Sequence, residues 1–398
     1  MNKKYSLISL SLLCFALADV RDGLGPFIGI YLQKHNFTPD KIGFVMTLSG
    51  LAGIIFSSIL GAVTDKTKYK RLLLAFLTAS IALSSFILLI KPDFINASIA
   101  SLIQGIASAG IAPLLTGITI GLSDEDKMAQ QFSKNEAWNH FGNVVTASLS
   151  GLLGYYYGII PVFIIMSIMA LLAVIFTMSI KKEHIDYDRA RGAHNKEESM
   201  PLKDLLKCMP LLAFGLVLFF FHFSNAAILP FLGQSAGDEF KNINTTFYTA
   251  MTVLIAQFSM IIMAVIALKV INKKGAVTII TLTALTALPV RALTAGYFHS
   301  PEIMVIIQIL DGVGAGFMGV AVPVVTANIL ADTGRINTGM GILMTMQAAG
   351  AALSTSYAGI LAARFNYSAA FIGLTFLAFA ALFVFIFSYK FVKGFAVK

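Results

Sequence analysis

Apolar runs of about twenty residues recur throughout this chain, the length needed to cross the hydrocarbon core of a bilayer as an α-helix. Twelve can be separated, at roughly 5–33, 41–64, 70–91, 95–123, 134–157, 159–181, 208–234, 243–271, 275–298, 301–331, 336–364 and 367–390. A soluble domain carries about a quarter charged residues and interrupts its apolar stretches every few positions. Here 57% of the residues are hydrophobic and 12% charged. A transmembrane barrel would show alternating segments of about ten residues. Short irregular connections and abundant glycine point instead to an all-α membrane protein with twelve packed transmembrane helices.

The net charge of +9 does not imply a nucleic-acid partner, because its distribution has a membrane explanation. With the N-terminus in the cytoplasm, Lys34, Lys41, Lys91, Lys241 and Arg364 fall on the opposite side, and Arg21 and Arg291 fall within helices. Every other Lys and Arg is cytoplasmic, as the positive-inside rule requires, and both termini are expected there. Met1 to Ala18 has the look of a cleavable signal, with two lysines, an apolar core and Ala16-Leu-Ala18. Apolar sequence resumes from Leu24 to Leu32, so the expectation is an uncleaved first helix. Cys14 and Cys208 fall in or beside apolar segments and read as core residues rather than a disulfide or metal pair.

A polar stretch from Lys181 to Lys207 divides the chain into six segments and six. The expected organisation is an N-terminal bundle, 1–181, a cytoplasmic linker, 182–207, and a C-terminal bundle, 208–398. The halves repeat in parallel. Leu24-Gly-Pro26-Phe-Ile-Gly29 returns as Leu229-Pro230-Phe-Leu-Gly233. Gly142 to Gly151, with Thr146 and Ser148, returns as Gly350 to Gly359, with Ser354 and Ser356. Gln104-Gly105 is matched by Asp311-Gly312. Parallel halves of this kind place a binding site between them near mid-membrane.

The connection after segment 2 reads Gly61-Ala-Val-Thr-Asp65-Lys66-Thr-Lys68-Tyr-Lys70-Arg71. Gly61, Asp65, Lys66, Lys70 and Arg71 keep the spacing of the loop between helices 2 and 3 of the major facilitator superfamily, which this chain resembles over its whole length. Lys68 stands where that pattern usually has a second glycine. The resemblance implies a monomeric transporter whose helices 1, 4, 7 and 10 line a central cavity and whose helices 3, 6, 9 and 12 lie outside. It also implies that Asp65 steadies one conformation near the start of helix 11, with Arg71 or Arg335 able to add an ion pair. Two departures separate the chain from standard drug/proton antiporters of that family. Ser101 replaces an arginine three residues before Gln104-Gly105, and segment 5 has no proline between Gly142 and Gly158.

Ionisable groups inside a span are costly and face a partner or a water-filled cavity. Segment 1 carries Asp19, Arg21 and Asp22, with the two carboxylates on one helical face. A carboxylate between an opposite and a like charge can take up and release a proton in each cycle. The alternative is a static ion pair. Gly23, Gly25 and Pro26 follow at once, so the helix is expected to bend there. In segment 5, Glu136, Asn139, His140 and Asn143 form one polar stripe, extended by Thr146. It lines the cavity or bonds to a neighbouring helix, and Glu136 with His140 can act as a pH-sensitive pair. Segment 7 contributes His222 and Asn225 from an aromatic stretch, and such a histidine is commonly structural. Asp311 is a second coupling candidate, and Gly312, Gly314 and Gly316 beside it permit close helix packing. Gln104, Gln257 and Gln347 can add hydrogen bonds, whereas Arg291 reads as snorkelling or paired.

These features predict a secondary transporter for a small organic solute in a bacterial inner membrane, coupled to protons and more consistent with efflux. Uptake of a polar metabolite or siderophore-like compound, and a transporter-like receptor without net flux, are the competing readings. No HExxH, GxSxG or phosphate-binding loop in a suitable context suggests an enzyme, and no cofactor is implied.

Overall fold

Polar and proline punctuation sets the helix ends. A computed structural model describes residues 3–22, 24–124, 128–187, 190, 201–270, 273, 275–298, 300–330 and 336–389. Segment 1 folds as a broken pair, α1 (Lys3–Asp22) and α2 (Gly25–Lys34). It is followed by α3 (Pro39–Lys66), α4 (Lys70–Ile90), α5 (Phe94–Leu122), α6 (Met128–Tyr157) and α7 (Ile160–Ser179). A short turn, α8 (Leu202–Leu205), precedes a second broken pair, α9 (Met209–Asn225) and α10 (Ile228–Glu239). The remaining helices are α11 (Thr245–Val270), α12 (Ala276–Tyr297), α13 (Met304–Ile329), α14 (Ile336–Arg364) and α15 (Tyr367–Ser388). Each of the twelve apolar segments therefore coincides with a helix or a broken pair. Among the described residues nine stretches are long and apolar enough to cross a membrane unaided. Segments 1, 5 and 11 fall short of that measure, and segments 1 and 5 are the ones that carry the densest polar residues.

Both helix breaks have the same cause. A proline lacks the N–H that would bond to the carbonyl four residues earlier, and its ring crowds that carbonyl. Pro26 thereby frees the carbonyl of Asp22, and Pro230 frees that of Ala226. The breaks follow, after Asp22 and after Asn225. The bend expected beside the segment 1 charges is present, and its repeat partner bends too. Asp93 starts α5 by accepting from the Asn96 N–H at 2.8 Å, and Asn366 starts α15 by accepting from the Ala369 N–H at 2.8 Å.

The basic connection after α3 is shorter than its charge pattern suggests. Helix α3 continues to Lys66, so Gly61 and Asp65 are helical and only 67–69 link it to α4. Lys and Asp are compatible with a helix interior, and nothing between Gly61 and Lys66 stops one.

The chain forms two compact units. The first comprises Met1–Phe37, Leu48–Asn195 and Asn242–Met251, and the second Thr38–Thr47, Lys196–Lys241 and Thr252–Lys398. In the first, α1 packs on α6 and α7, and α4 packs on α5 and α7. In the second, α9 packs on α14 and α15, and α12 on α13 and α15. The partnering is the same once each helix is replaced by its repeat counterpart.

Glycines fix the matching crossings. A methyl group on Gly142 of α6 would overlap the Phe15 carbonyl of α1, and one on Gly350 of α14 would overlap the Phe219 carbonyl of α9. A methyl on Gly105 of α5 would overlap Ser49 of α3, and one on Gly312 of α13 would overlap Ser259 of α11. Close backbone approach of this kind stabilises helix pairs where lipid removes the hydrophobic driving force. Large apolar side chains such as Phe76, Leu83, Leu171 and Phe376 remain exposed on the outer faces, as a lipid solvent allows.

Candidate functional site

Among the described residues the most concentrated buried charge lies in the second unit. Arg291 of α12 is wholly buried, and its guanidinium Nη1 lies 2.9 Å from Oδ1 of Asp311 on α13. Asn225, the last residue of α9, joins the two. Its amide oxygen accepts from the Arg291 guanidinium, and its amide nitrogen donates to Asp311 Oδ1 at 3.2 Å. Gln308, one turn before Asp311, offers its amide oxygen to Arg291 Nη2 at 3.4 Å. Arg291 Nε and Gln308 Nε2 are buried donors without a hydrogen-bond partner among the described residues. The cluster sits beside the α9–α10 break. There the Ala227 N–H, displaced from the helical ladder, donates to the Ser354 hydroxyl at 3.0 Å, and the Ser224 hydroxyl donates to the Leu374 carbonyl at 2.9 Å. His222 lies one turn away, half-buried against Phe221 with ring centroids 5.2 Å apart.

A buried ion pair survives only when its charges cancel and its remaining hydrogen-bonding capacity is largely met. Arg291 and Asp311 cancel, and Asn225 serves both. The snorkelling reading of Arg291 does not hold, because its guanidinium points into the unit rather than to its rim. Pairing, the other reading, does. Asn225 and Asp311, named from the sequence, are brought together. Arg291 as an organiser and Gln308 were missed. The one available signal was the spacing of Gln308 and Asp311, which places both on one face of α13.

The first unit holds a second set of buried polar residues. Asp19 of α1 is buried. On α6, Gln131 donates to Asn135 at 2.8 Å, and Asn135 donates to the Thr119 hydroxyl of α5 at 3.0 Å. Asn139, His140 and Asn143 follow on α6, each half-buried. Thr146 bonds back to the Gly142 carbonyl at 2.9 Å, within its own helix. Gln104 donates to the Ser85 hydroxyl of α4 at 3.4 Å. Arg21, Asp22 and Glu136 lie on helices, but their side chains are outside the described residues. Among the described residues no three His, Cys, Asp or Glu side chains converge as a metal site.

Comparison with known proteins supplies the wider frame. Residues 10–290 match the family model of the Major Facilitator Superfamily. The chain belongs to this superfamily. An uncharacterized MFS-type transporter of Mycobacterium tuberculosis is 33% identical over 93% of this chain and 90% of its own. The multi-drug resistance efflux pump PmrA of Streptococcus pneumoniae is 23% identical over 73% of each. Among solved structures, a mutant of the nucleoside transporter NupG superposes with a TM-score of 0.80 at 16% identity, covering 98% of this chain and 100% of that one. A bacterial homologue of the human lysosomal transporter Spinster gives 0.78 at 12% identity, covering 100% and 98%. The protein is a multi-pass membrane transporter and not an enzyme.

The superfamily loop motif has a specific use of its basic residues in this transporter. Lys70 is fully buried, and its ammonium donates to the Thr64 carbonyl, closing the last turn of α3 from the start of α4. Arg71 donates to the carbonyls of Met178 and Ile180 at the end of α7. These carbonyls carry the partial negative charge of a helix C-terminus, which a guanidinium complements. Gly61 lies half-buried, and a methyl there would meet no neighbour. The Asp65 and Lys66 side chains, and all of Arg335, lie outside the described residues, as does the expected latch between them.

Proposed function

We propose that this transporter exports a small organic solute from a bacterial cytoplasm across the inner membrane and is driven by protons. Both termini then lie in the cytoplasm, and the six-helix halves 1–181 and 208–398 act as the alternating bodies, joined by 182–207. The observation that carries the reading is the buried Arg291–Asp311–Asn225 cluster at the α9–α10 break. Protonating Asp311 would leave Arg291 as an uncompensated cation in a buried site. That state is costly, so proton uptake favours any rearrangement that hydrates Arg291 or gives it another acceptor. Asn225 bonds to both partners and ends α9, so the rearrangement is felt at the hinge. Asp19, with Arg21 and Asp22 at the matching break of α1, is the second candidate coupling group. The similarity to an efflux pump supports export over uptake.

The test compares cells expressing wild type with cells expressing the double variant Arg291→Met/Asp311→Leu, which removes both charges and keeps an apolar fill. Untargeted mass spectrometry of cells and medium names compounds that wild type alone moves outward. Proteoliposomes loaded with a pH-sensitive dye then report proton counterflow when that compound is added. Movement from medium into cells overturns the direction. Flux without proton movement, or equal flux by the double variant, overturns the coupling.

A further inference from the structure

A second site lies at the end of the first unit, where α4 begins and α7 ends. A cavity of about 540 Å³ is lined by Lys68, Tyr69 and Arg71 from the start of α4 and its approach, and by Lys182 and Tyr187 from the segment after α7. Glu183 is the single acid among the described residues of the wall. The Arg71 guanidinium is anchored on the Met178 and Ile180 carbonyls, which neutralises none of its full charge. Among the described residues none of the three cations is within 4 Å of a carboxylate. Glu183 senses the surplus. Its carboxyl is held below the usual range first by its own backbone N–H and then, against the opposing effect of desolvation, by Lys182, Lys181 and Arg71.

The wall is built rather than loose. The Asp186 N–H donates to the Gly121 carbonyl at 3.0 Å, and Ile185 and Ala190 are buried against α5. His184 bonds the Ser6 hydroxyl of α1 through Nδ1 at 2.8 Å. The start of the segment after α7 is thus docked on the bundle, which holds Lys182 at the same cavity as Lys68 and Arg71.

The surroundings point to one class of ligand. Below the cations, Leu72 and Phe76 of α4 and Leu171, Ile175 and Met178 of α7 are all exposed, and the two helices pack together. A continuous apolar surface therefore leads from the cavity along the lipid-facing side of the unit. Tyr69 is 71% exposed at the level where apolar helix gives way to polar chain, the position aromatic side chains take at a membrane interface. A free phosphate would use the cations and leave this surface idle. An acidic peptide would use neither the depth nor the apolar wall.

We propose that this cavity is a headgroup site for an anionic phospholipid, whose phosphate sits among Lys68, Arg71 and Lys182 while its acyl chains lie along α4 and α7. Basic pockets at the ends of membrane helices bind such lipids, and each surface cation contributes about a fivefold gain in affinity. Occupancy would tie the short 67–69 connection, the end of α7 and the beginning of the inter-half segment into one piece.

The experiment uses the full chain, purified in detergent and read by native mass spectrometry against dioleoyl-phosphatidylglycerol, dioleoyl-phosphatidylcholine and inorganic phosphate. Wild type should retain phosphatidylglycerol at least tenfold better than phosphatidylcholine. Lys68→Gln/Lys182→Gln should weaken retention about thirtyfold, while Lys241→Gln, exposed elsewhere, should not. Both altered lysines are exposed, so an unchanged melting temperature is expected and shows that the loss is local. Equal retention of the two lipids, or unchanged retention by the double variant, overturns the proposal. Competition by inorganic phosphate at concentrations matching the lipid's own affinity also overturns it, in favour of a free-anion site.

Discussion

Removing one partner of the Arg291–Asp311 pair should damage the second unit far more than removing both. Their side chains are 1% and 6% exposed, and the charges approach to 2.9 Å. At an effective dielectric constant of about 20, that distance corresponds to roughly 6 kcal/mol of attraction. Desolvation offsets much of it, which is why a buried pair adds little net stability over a well-packed apolar replacement. Asp311→Asn keeps size and one acceptor but leaves Arg291 charged and buried, a change that typically costs about 3–5 kcal/mol. Arg291→Met/Asp311→Leu should fall within about 1–2 kcal/mol of wild type. Cys208 packs against the core of this unit and is a reporter for it once Cys14 is replaced by Ala. Thermal unfolding is followed by a thiol-reactive fluorogenic dye. At about 2–4 °C per kcal/mol, the single variant should become reactive on the order of 10 °C lower, and the double variant within a few degrees of wild type. Single and double variants melting alike would refute the reasoning, because the penalty would then come from lost packing rather than an orphaned charge.

Two further outcomes follow from the same geometry. Gly142→Leu and Gly350→Leu should each abolish monodisperse protein in size-exclusion chromatography, because the obstacle at each is a neighbouring backbone carbonyl that cannot rotate away, whereas Gly341→Ala, with open space beside it, should elute as wild type. Asp93 is held below the ordinary carboxylate range by the Asn96 N–H and then by Lys91, so its stabilisation of the start of α5 is complete above about pH 4 and drains as pH falls through the lowered value. Amide-exchange protection at Asn96 should therefore drop between pH 5 and pH 2 in wild type and stay level in Asp93→Asn, which keeps the acceptor, and an equal drop in both would remove Asp93 as the cause.

Much of the scaffold was open to reading along the chain, because the features that build it are local. An apolar run of twenty residues needs no partner to declare itself, and neither does Pro26 or Pro230, whose effect reaches only four residues back. The matched glycines were visible as a repeat, although the contacts that explain them were not. The site was less legible because its members are distant. Arg291 meets Asn225 across 66 positions and Gln308 across 17. A lone arginine two turns from a helix end carries no sign of whether it turns outward or inward. Likewise the basic loop announced its charge, but not that Lys70 is swallowed by the end of α3 or that Arg71 serves the end of α7. Those roles depend on how α3, α4 and α7 meet, which no spacing within one of them reveals.

The repeat also locates where the halves have diverged. The Gly105 crossing with Ser49 and the Gly312 crossing with Ser259 are counterparts, so the residues just before these glycines occupy equivalent places. In the first unit that place holds Gln104, which donates across to Ser85 on α4. In the second it holds Asp311, paired across to Arg291 on α12. The same helix-to-helix position is thus neutral in one half and ionic in the other. Neutral amides and hydroxyls hold a crossing over the whole physiological pH range, whereas a carboxylate paired to a guanidinium loses its bond when a proton arrives. Under the proposed coupling, a proton at Asp311 alters the internal energy of one unit and leaves the counterpart crossing of the other untouched. At this position, therefore, the two bodies answer a proton differently, which gives it a way to shift one relative to the other.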